Sequence, residues 1–197
     1  MPLNLPTLLT WARIVMIPLI LGVFYFPDHW LHSEGRNLAG ALLFALAGIT
    51  DWFDGYLARK WNQTSAFGAF LDPVADKLMV AAALILLVQL GRADAWLAAI
   101  IIGREITISA LREWMAQLGA TRSVAVSYVG KVKTAAQMAA IFMLLWHEPL
   151  IPGLDTQYIG TICLFVAALL TLWSMGYYLR MAWPQLTRRD NAGVDFD

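Results

Sequence analysis

Long apolar stretches recur along almost the whole of the 197-residue chain and restrict the folds that it can adopt. Hydrophobic residues make up 59% of the sequence, and a helix needs about 20 mostly apolar residues to cross a bilayer. The stretches are too long and too irregular for alternating strands, so we predict an all-α integral membrane protein with six transmembrane helices. The predicted spans are Thr7–Phe26, Leu38–Lys60, Asp72–Leu90, Ala95–Leu118, Tyr128–Trp146 and Tyr158–Trp183.

The spans form one predicted domain. No internal repeat or low-complexity tract interrupts the chain, so we expect a transmembrane catalytic unit over residues 1–183 and a cytoplasmic tail over residues 184–197. The first apolar stretch contains Arg13, and no small-residue cleavage site follows it, so it is interpreted as a retained span. Cys163 is the single cysteine, which leaves no disulfide within one chain.

Lysine and arginine residues are distributed unequally between the two sides of the predicted spans. Two of them, Arg36 and Arg92, fall on one side. The other side carries Arg13, Arg59, Lys60, Lys77, Arg104, Arg112, Arg122, Lys131, Lys133, Arg180, Arg188 and Arg189. Because positive residues favour the cytoplasmic side, we predict that both termini face the cytoplasm.

Four carboxylates recur at intervals of three and four residues in the stretch DWFDGYLARKWNQTSAFGAFLDPVAD. Asp51 and Asp54 end the second predicted span and Asp72 and Asp76 begin the third, so each pair shares one helix face. Ionisable residues at bilayer depth are costly and usually mark a functional site. Carboxylate oxygens suit hard divalent cations such as Mg²⁺ or Mn²⁺. We therefore predict that the two pairs meet at a cation site, with buried salt bridges to neighbouring bases as the alternative.

Small residues and one arginine separate these acids. Gly55 lets a phosphate or nucleotide approach the backbone closely, and the small side chain of Ala58 adds little bulk on the next helical turn. Gly68 is expected to serve the connecting turn or a similar close approach. Arg59 offers a fixed, forked cation for phosphate. The stretch therefore indicates a phosphorylated ligand beside the cation.

Two later stretches bring charged residues to the same predicted membrane face. The first, GREITISALREWMAQLG, lies in the fourth span; Arg112 is its better anion-binding candidate, whereas Arg104 and Glu105 can also be a structural ion pair. The second, SYVGKVKTAAQM, begins the fifth span. Lys133 points away from Lys131 on an ideal helix, so we predict that Lys133 extends to lipid headgroups. The acids and bases together predict a polar cavity open to the cytoplasm.

The spacing of the acid-rich stretch resembles a known pattern. It matches the signature of the CDP-alcohol phosphatidyltransferase family, D-x2-D-G-x2-A-R-x8-G-x3-D-x3-D, at every fixed position. The segments NLPTLLTWARIVMIPLI, GREITISALREWM and VGKVKTAAQM look like the bacterial phosphatidylglycerophosphate synthase branch of that family. The resemblance extends over most of the chain.

This resemblance implies a six-helix transmembrane domain, usually a homodimer, in the bacterial inner membrane. It implies one or two Mg²⁺ or Mn²⁺ ions held by Asp51, Asp54, Asp72 and Asp76. It also implies that the CDP moiety is bound by Asp51, Asp54, Gly55, Ala58, Arg59 and Gly68. The family's candidate general base corresponds to Asp76.

The activity implied is transfer of a phosphatidyl group from CDP-diacylglycerol to the 1-hydroxyl of sn-glycerol 3-phosphate. The acceptor's phosphate needs a separate cationic pocket, for which the candidates are Arg112 and Lys131, then Arg104 and Arg122, and more weakly Arg180. Related acceptors (inositol or inositol phosphate, serine, phosphatidylglycerol) remain alternatives. A cation- or proton-coupled transporter is the alternative from another class, disfavoured because the acids gather on one side. The expected partners are the two substrates, the lipid bilayer and a second copy of the chain, with no nucleic acid.

Overall fold

The computed structural model describes residues 5–61, 66–117, 128–149, 153 and 155–192. These residues form six α-helices and contain no strand, so the all-α prediction is confirmed for this part of the chain. The helices are α1 (Leu5–Val23), α2 (Ser33–Trp61), α3 (Ala66–Gln89), α4 (Ala95–Gln117), α5 (Tyr128–Trp146) and α6 (Thr156–Ala192). Each helix overlaps one predicted span.

Some helices extend beyond the apolar stretches that predicted them. Helix α3 begins at Ala66, so Asp72 lies inside the helix rather than at its first residue. Helix α6 continues to Ala192, past the predicted end at Trp183 and into the segment predicted as a tail. Hydropathy locates where a chain can meet lipid, whereas backbone hydrogen bonding continues through polar residues. The acid pair of α3 is therefore held on a rigid helical turn.

One described helical segment is both long and apolar enough to cross a bilayer, by length and composition alone. This segment is Thr156–Tyr177 within α6, with a mean hydropathy of 2.0. Two shorter apolar segments, Leu8–Val23 and Val132–Trp146, lie in α1 and α5. The number of spans and their orientation therefore remain predictions.

The core is a single apolar cluster to which all six helices contribute, α1 through Ile20. Phe44 of α2, Leu84 of α3, Ile141 of α5 and Leu164 of α6 are almost completely buried in it. Leu97 joins the same cluster from α4. Because these side chains interdigitate, the cluster fixes how α3 packs against α4 and α5 and how α2 packs against α5.

Gly160 of α6 packs closely against Leu144 of α5. A Cβ at position 160 would be 2.8 Å from Cγ of Leu144, so Gly160→Ala is expected to lower the free energy of unfolding by about 1–3 kcal/mol. Gly176, on the same helix, is the matched control, because no described atom lies within 4 Å of a Cβ built there. Gly176→Ala should be neutral or stabilise by up to about 1 kcal/mol through helix propensity. Thermal unfolding in detergent measures both changes, and equal shifts would contradict this packing.

Arg92 joins the turn between α3 and α4 to two helices, α2 and α5, at the end of the bundle away from the acid pair of α3. Its guanidinium donates hydrogen bonds to the carbonyl oxygens of Leu144 (3.2 Å) and Leu145 (3.0 Å) and to Oδ1 of Asn37 (2.7 Å). Burial lowers the pKa of Arg92, and the nearby carboxylate of Glu148 opposes that shift. Arg92 therefore stabilises the turn between α3 and α4 against α2 and the end of α5.

Candidate active site

A cavity of about 610 Å³ lies between the first half of α3 and the second half of α4, and α2 contributes to its wall. Its charged lining residues are Asp51 from α2, Asp72, Asp76 and Lys77 from α3, and Arg104, Glu105, Arg112 and Glu113 from α4. The structure therefore brings three of the predicted acids and two of the predicted phosphate-binding cations to one cavity.

Helix α3 carries its two acids on the face that turns toward the other helices. Asp72 and Asp76 are four residues apart and share one helix face. Ala75 and Met79 follow them by three residues on nearly the same face and are 0% and 1% exposed, whereas Leu78 is 51% exposed. The two carboxylates therefore point inward, where the cavity lies.

Helix α1 supplies a cation to the acid of α2. Arg13 is completely buried, and its Nη1 lies 2.6 Å from Oδ1 of Asp51. The side chain of Asp51 is 45% exposed, so this carboxylate connects a buried guanidinium to the cavity. A buried charge is tolerated only when it is paired, which explains how an apolar helix accommodates Arg13. The sequence analysis used Arg13 only for orientation and for the retention of the first span, although a charge inside an apolar span is a signal of function.

Helix α1 also contacts the acid pair of α3. Thr10 is buried, and its hydroxyl donates a hydrogen bond to Oδ1 of Asp72. Thr10 and Arg13 are three residues apart and share one face of α1, so this face holds one acid from each half of the motif. The sequence analysis missed Thr10, because a threonine in an apolar helix carries no pattern of its own.

A network of charged side chains joins α4, α5 and α6 beside the cavity. Nη1 of Arg104 lies 2.9 Å from Oε1 of Glu105, and its Nη2 donates to Oγ of Ser174 at 2.8 Å. Lys133 donates to the same oxygen of Glu105. The side chain of Lys133 is 4% exposed, so the prediction that it extends to lipid headgroups is wrong. A buried carboxylate on the neighbouring helix holds the ammonium, and helical periodicity within α5 contains no information about that partner.

The α4 side of the cavity carries two arginines, Arg104 and Arg112, and two glutamates, Glu105 and Glu113. Glu105 is bonded by Arg104 and by Lys133 of α5. The structural ion pair considered for Arg104 is present, and Arg104 still lines the cavity. Arg104 and Arg112, called the basic wall, face the carboxylates of α2 and α3. This arrangement is suited to a ligand with one group bound at the acids and an anionic group bound at the arginines.

The carboxylates fit a hard divalent cation in their chemistry, because oxygen ligands are those that Mg²⁺ and Mn²⁺ prefer. Among the side chains that the structure describes, no three of the His, Cys, Asp or Glu type are grouped closely enough to hold an ion. Asp51 and Asp72 are each bonded to α1, and the side chain of Asp54 lies outside the description. The cation site therefore stays a prediction that depends on Asp54.

Several predicted site residues lie outside the part of the chain that can be described. These are the side chains of Asp54, Gly55, Ala58, Arg59 and Lys131, and the whole of Arg122. Gly68 is described and is buried in the first turn of α3. Arg180 is exposed on α6, and it is not among the described residues that line the cavity.

Comparison with known proteins identifies the family of the chain. The family model for CDP-alcohol phosphatidyltransferase matches residues 3–173, and the chain belongs to that family. The chain is also similar to the CDP-diacylglycerol–glycerol-3-phosphate 3-phosphatidyltransferases of Escherichia coli (strain K12), Shigella flexneri and Salmonella typhimurium. Each of these relatives is 53% identical over 186 residues, which cover 92% of this chain and 96% of the relative. The family resemblance recognised in the sequence is confirmed.

Proposed function

We propose that this chain transfers a phosphatidyl group from CDP-diacylglycerol to sn-glycerol 3-phosphate, giving phosphatidylglycerophosphate and CMP. The observation that carries the proposal is that acids of α2 and α3 and the arginines Arg104 and Arg112 of α4 line the same cavity. Relatives that are 53% identical over nearly their full length bear the name of this activity. The acids are suited to a nucleotide diphosphate with its cation, and the basic wall is suited to the phosphate of the acceptor.

The nucleotide half of the site is assigned to the motif. The residues that would hold one or two Mg²⁺ or Mn²⁺ ions are Asp51, Asp54, Asp72 and Asp76. Such ions, when bound, neutralise the pyrophosphate and stabilise the departing CMP. The residues proposed to seat the CDP moiety are Asp51, Asp54, Gly55, Ala58, Arg59 and Gly68. Arg13 and Thr10 hold Asp51 and Asp72 in fixed positions from α1, which limits the reorganisation needed when substrate binds.

Asp76 is proposed as the general base. In the reaction, the oxygen of the acceptor's 1-hydroxyl forms a bond to the β-phosphorus of CDP-diacylglycerol. The bond from that phosphorus to the CMP oxygen breaks, and the hydroxyl proton passes to a carboxylate oxygen of Asp76. This transfer requires that the carboxylate lie within hydrogen-bond reach of the hydroxyl. Asp76 lines the cavity opposite α4, where an acceptor held by the basic wall would present its hydroxyl.

The acceptor's phosphate is assigned to the basic wall. Arg112 is the preferred residue because it lines the cavity and is more exposed than Arg104. Lys131 and Arg122 remain candidates from the sequence. A guanidinium can bind phosphate through two parallel hydrogen bonds, which fixes the orientation of the acceptor as well as its position.

Arg112→Ala is expected to raise the KM for sn-glycerol 3-phosphate by about 10-fold to 100-fold, because it removes charge-assisted hydrogen bonds to the phosphate. The KM for CDP-diacylglycerol should change much less. Arg112→Lys is the matched variant, since it keeps the charge and loses the fork, so its effect on the acceptor KM should be smaller. Steady-state kinetics with each substrate varied in turn measures both constants. Equal changes in the two constants, or none, would place the phosphate pocket elsewhere.

We further propose that the chain is a multi-pass protein of the bacterial inner membrane, homodimeric, with six spans and with its cavity and termini on the cytoplasmic side. The apolar segment Thr156–Tyr177 supports membrane insertion. Large apolar side chains are exposed on the outer faces of several helices, among them Leu46, Ile85 and Trp173, as contact with lipid requires. Such a placement would let CDP-diacylglycerol enter from the inner leaflet and the soluble acceptor enter from water.

The proposed activity is tested with purified protein in detergent, CDP-diacylglycerol, Mg²⁺ and a panel of acceptors. The panel contains sn-glycerol 3-phosphate, inositol phosphate, inositol, serine and phosphatidylglycerol. We expect CMP release and phosphatidylglycerophosphate with the first acceptor, and loss of both when EDTA removes the divalent cations. Product with serine or inositol alone would overturn the acceptor assignment. Absence of CMP with every acceptor would overturn the enzymatic assignment and favour a transporter.

A further inference from the structure

A second and much smaller cavity adjoins the candidate active site. It has a volume of about 50 Å³ and lies between α3, α4 and α5. Asp76, Lys77 and Glu105 line both cavities, so the small one is a side compartment of the large one. About 10–15 Å³ of such volume is enough for one water molecule, so the compartment has room for a small hydroxyl-bearing group.

Gln137 of α5 lines this side compartment and is unusual in its hydrogen bonding. The residue is 4% exposed, and among the described residues its Oε1 has no hydrogen-bond partner. Buried polar atoms in folded proteins are nearly always bonded, and an unpaired one costs about 1–3 kcal/mol. A donor that is not part of this chain would relieve that cost.

The other polar side chains that line the compartment are those of Asp76, Lys77, Glu105, Lys133 and Thr134, and none of them bonds Oε1 of Gln137. Lys133 instead donates to Glu105. The group that pairs with Gln137 is therefore expected to be a donor from outside the chain and small enough for the compartment. A hydroxyl satisfies both conditions.

The proposed acceptor carries such a hydroxyl in the required position. Its 1-hydroxyl is assigned to Asp76, and its 2-hydroxyl is on the adjacent carbon. Because Asp76 lines both cavities, an acceptor bound with its 1-hydroxyl at this carboxylate has its 2-hydroxyl within a short distance of the side compartment. The phosphate, on the third carbon, remains in the large cavity near the basic wall.

We propose that Gln137 is a specificity-determining residue that accepts a hydrogen bond from the secondary hydroxyl of a polyol phosphate in the side compartment. The site thereby selects an acceptor with two adjacent hydroxyls over a simple alcohol phosphate of the same length. This inference rests on the proposed function, and it adds a residue from outside the acid motif and the basic wall.

The test compares sn-glycerol 3-phosphate with 3-hydroxypropyl phosphate, which has the same chain length and lacks only the middle hydroxyl. For the unaltered protein we expect kcat/KM to favour sn-glycerol 3-phosphate by about 10-fold to 100-fold. In Gln137→Met, which preserves length and removes the amide, this ratio should fall to near one. The fall should come from lower kcat/KM with sn-glycerol 3-phosphate, with the KM for CDP-diacylglycerol unchanged.

Gln89→Met is the matched control. Gln89 is exposed at the far end of α3, where its Oε1 accepts a hydrogen bond from Tyr25, so the acceptor preference should be retained. Thermal unfolding verifies that each variant is folded. If Gln137→Met does not fold, Gln137→Asn, which withdraws the amide by one methylene, is judged by the same ratio.

Three results would overturn the role of Gln137. These are an unaltered protein that does not distinguish the two acceptors, a folded Gln137 variant with the original ratio, and a variant that loses activity equally with both acceptors. The second result would mean that the compartment holds only water, and the third that Gln137 is merely structural. Absence of turnover with sn-glycerol 3-phosphate in the unaltered protein would refute the proposed function itself, and the inference with it.

Discussion

Asp76→Asn is expected to lower turnover by about 100-fold to 10,000-fold while leaving the affinity for CDP-diacylglycerol largely intact. The carboxamide has nearly the shape of the carboxylate but cannot accept the proton of the attacking hydroxyl. Asp76 lines both the large cavity and its side compartment, so it lies where the reacting end of the acceptor is assigned. Single-turnover rates, together with equilibrium binding of CDP-diacylglycerol, separate the chemical step from lipid binding.

Asp94→Asn is the matched control for Asp76. Asp94 is exposed and precedes α4, at the end of the bundle opposite the acids, so the same chemical change there should leave turnover intact. Unchanged turnover in Asp76→Asn would remove this residue as the base. A parallel loss of turnover and of lipid binding would also contradict the assignment, because it would place Asp76 in substrate binding alone.

Arg13→Ala is expected to lower the free energy of unfolding by about 3 kcal/mol and to reduce kcat/KM by more than about 10-fold. The substitution removes a completely buried side chain and leaves Asp51 without the guanidinium that holds it. Breaking a buried ion pair costs about 3–5 kcal/mol, and the 45% exposure of Asp51 keeps the expected loss at the lower end of that range. Denaturant-induced or thermal unfolding measures stability, and the CMP assay measures activity.

The ion pair of Arg36 with Asp28 is the control for Arg13. Both partners are accessible, with side chains 21% and 81% exposed, so Arg36→Ala should cost less than about 1 kcal/mol and leave activity unchanged. Similar shifts in stability for the two variants would show that burial of the pair at Asp51 has no special importance. Full activity in a folded Arg13→Ala protein would show that Asp51 does not depend on α1.

The helices were predictable because each has its own apolar stretch. The predicted bounds of α5, Tyr128–Trp146, are those observed, since polar residues flank its apolar run on both sides. The start of α3 at Ala66 was not predicted, because its first turns contain a mixture of apolar and acidic residues without a continuous apolar run. Local hydropathy therefore determines which segments become helices, and it determines their ends less well.

The site residues show a similar limit: patterns within one helix were predictable, and contacts between helices were not. The shared face of Asp72 and Asp76 was predictable from spacing alone, because residues four apart share a helix face wherever the helix lies. The contact of Thr10 with Asp72 joins residues 62 positions apart, and that of Lys133 with Glu105 joins residues 28 apart. Such contacts depend on how helices pack, which no periodicity within one helix records. For this reason the partners from α1 were missed and Lys133 was assigned to lipid headgroups.

The most direct measurement is the stoichiometry of products from CDP-diacylglycerol and sn-glycerol 3-phosphate, with CMP quantified and the lipid identified by mass spectrometry. The purified protein should form CMP and phosphatidylglycerophosphate in equal amounts, and the Asp51→Asn, Asp72→Asn and Asp76→Asn proteins should each form very little of either. Formation of neither product by the folded, unaltered protein would contradict a shared catalytic centre at these carboxylates. Undiminished formation of both by all three variants would contradict it equally.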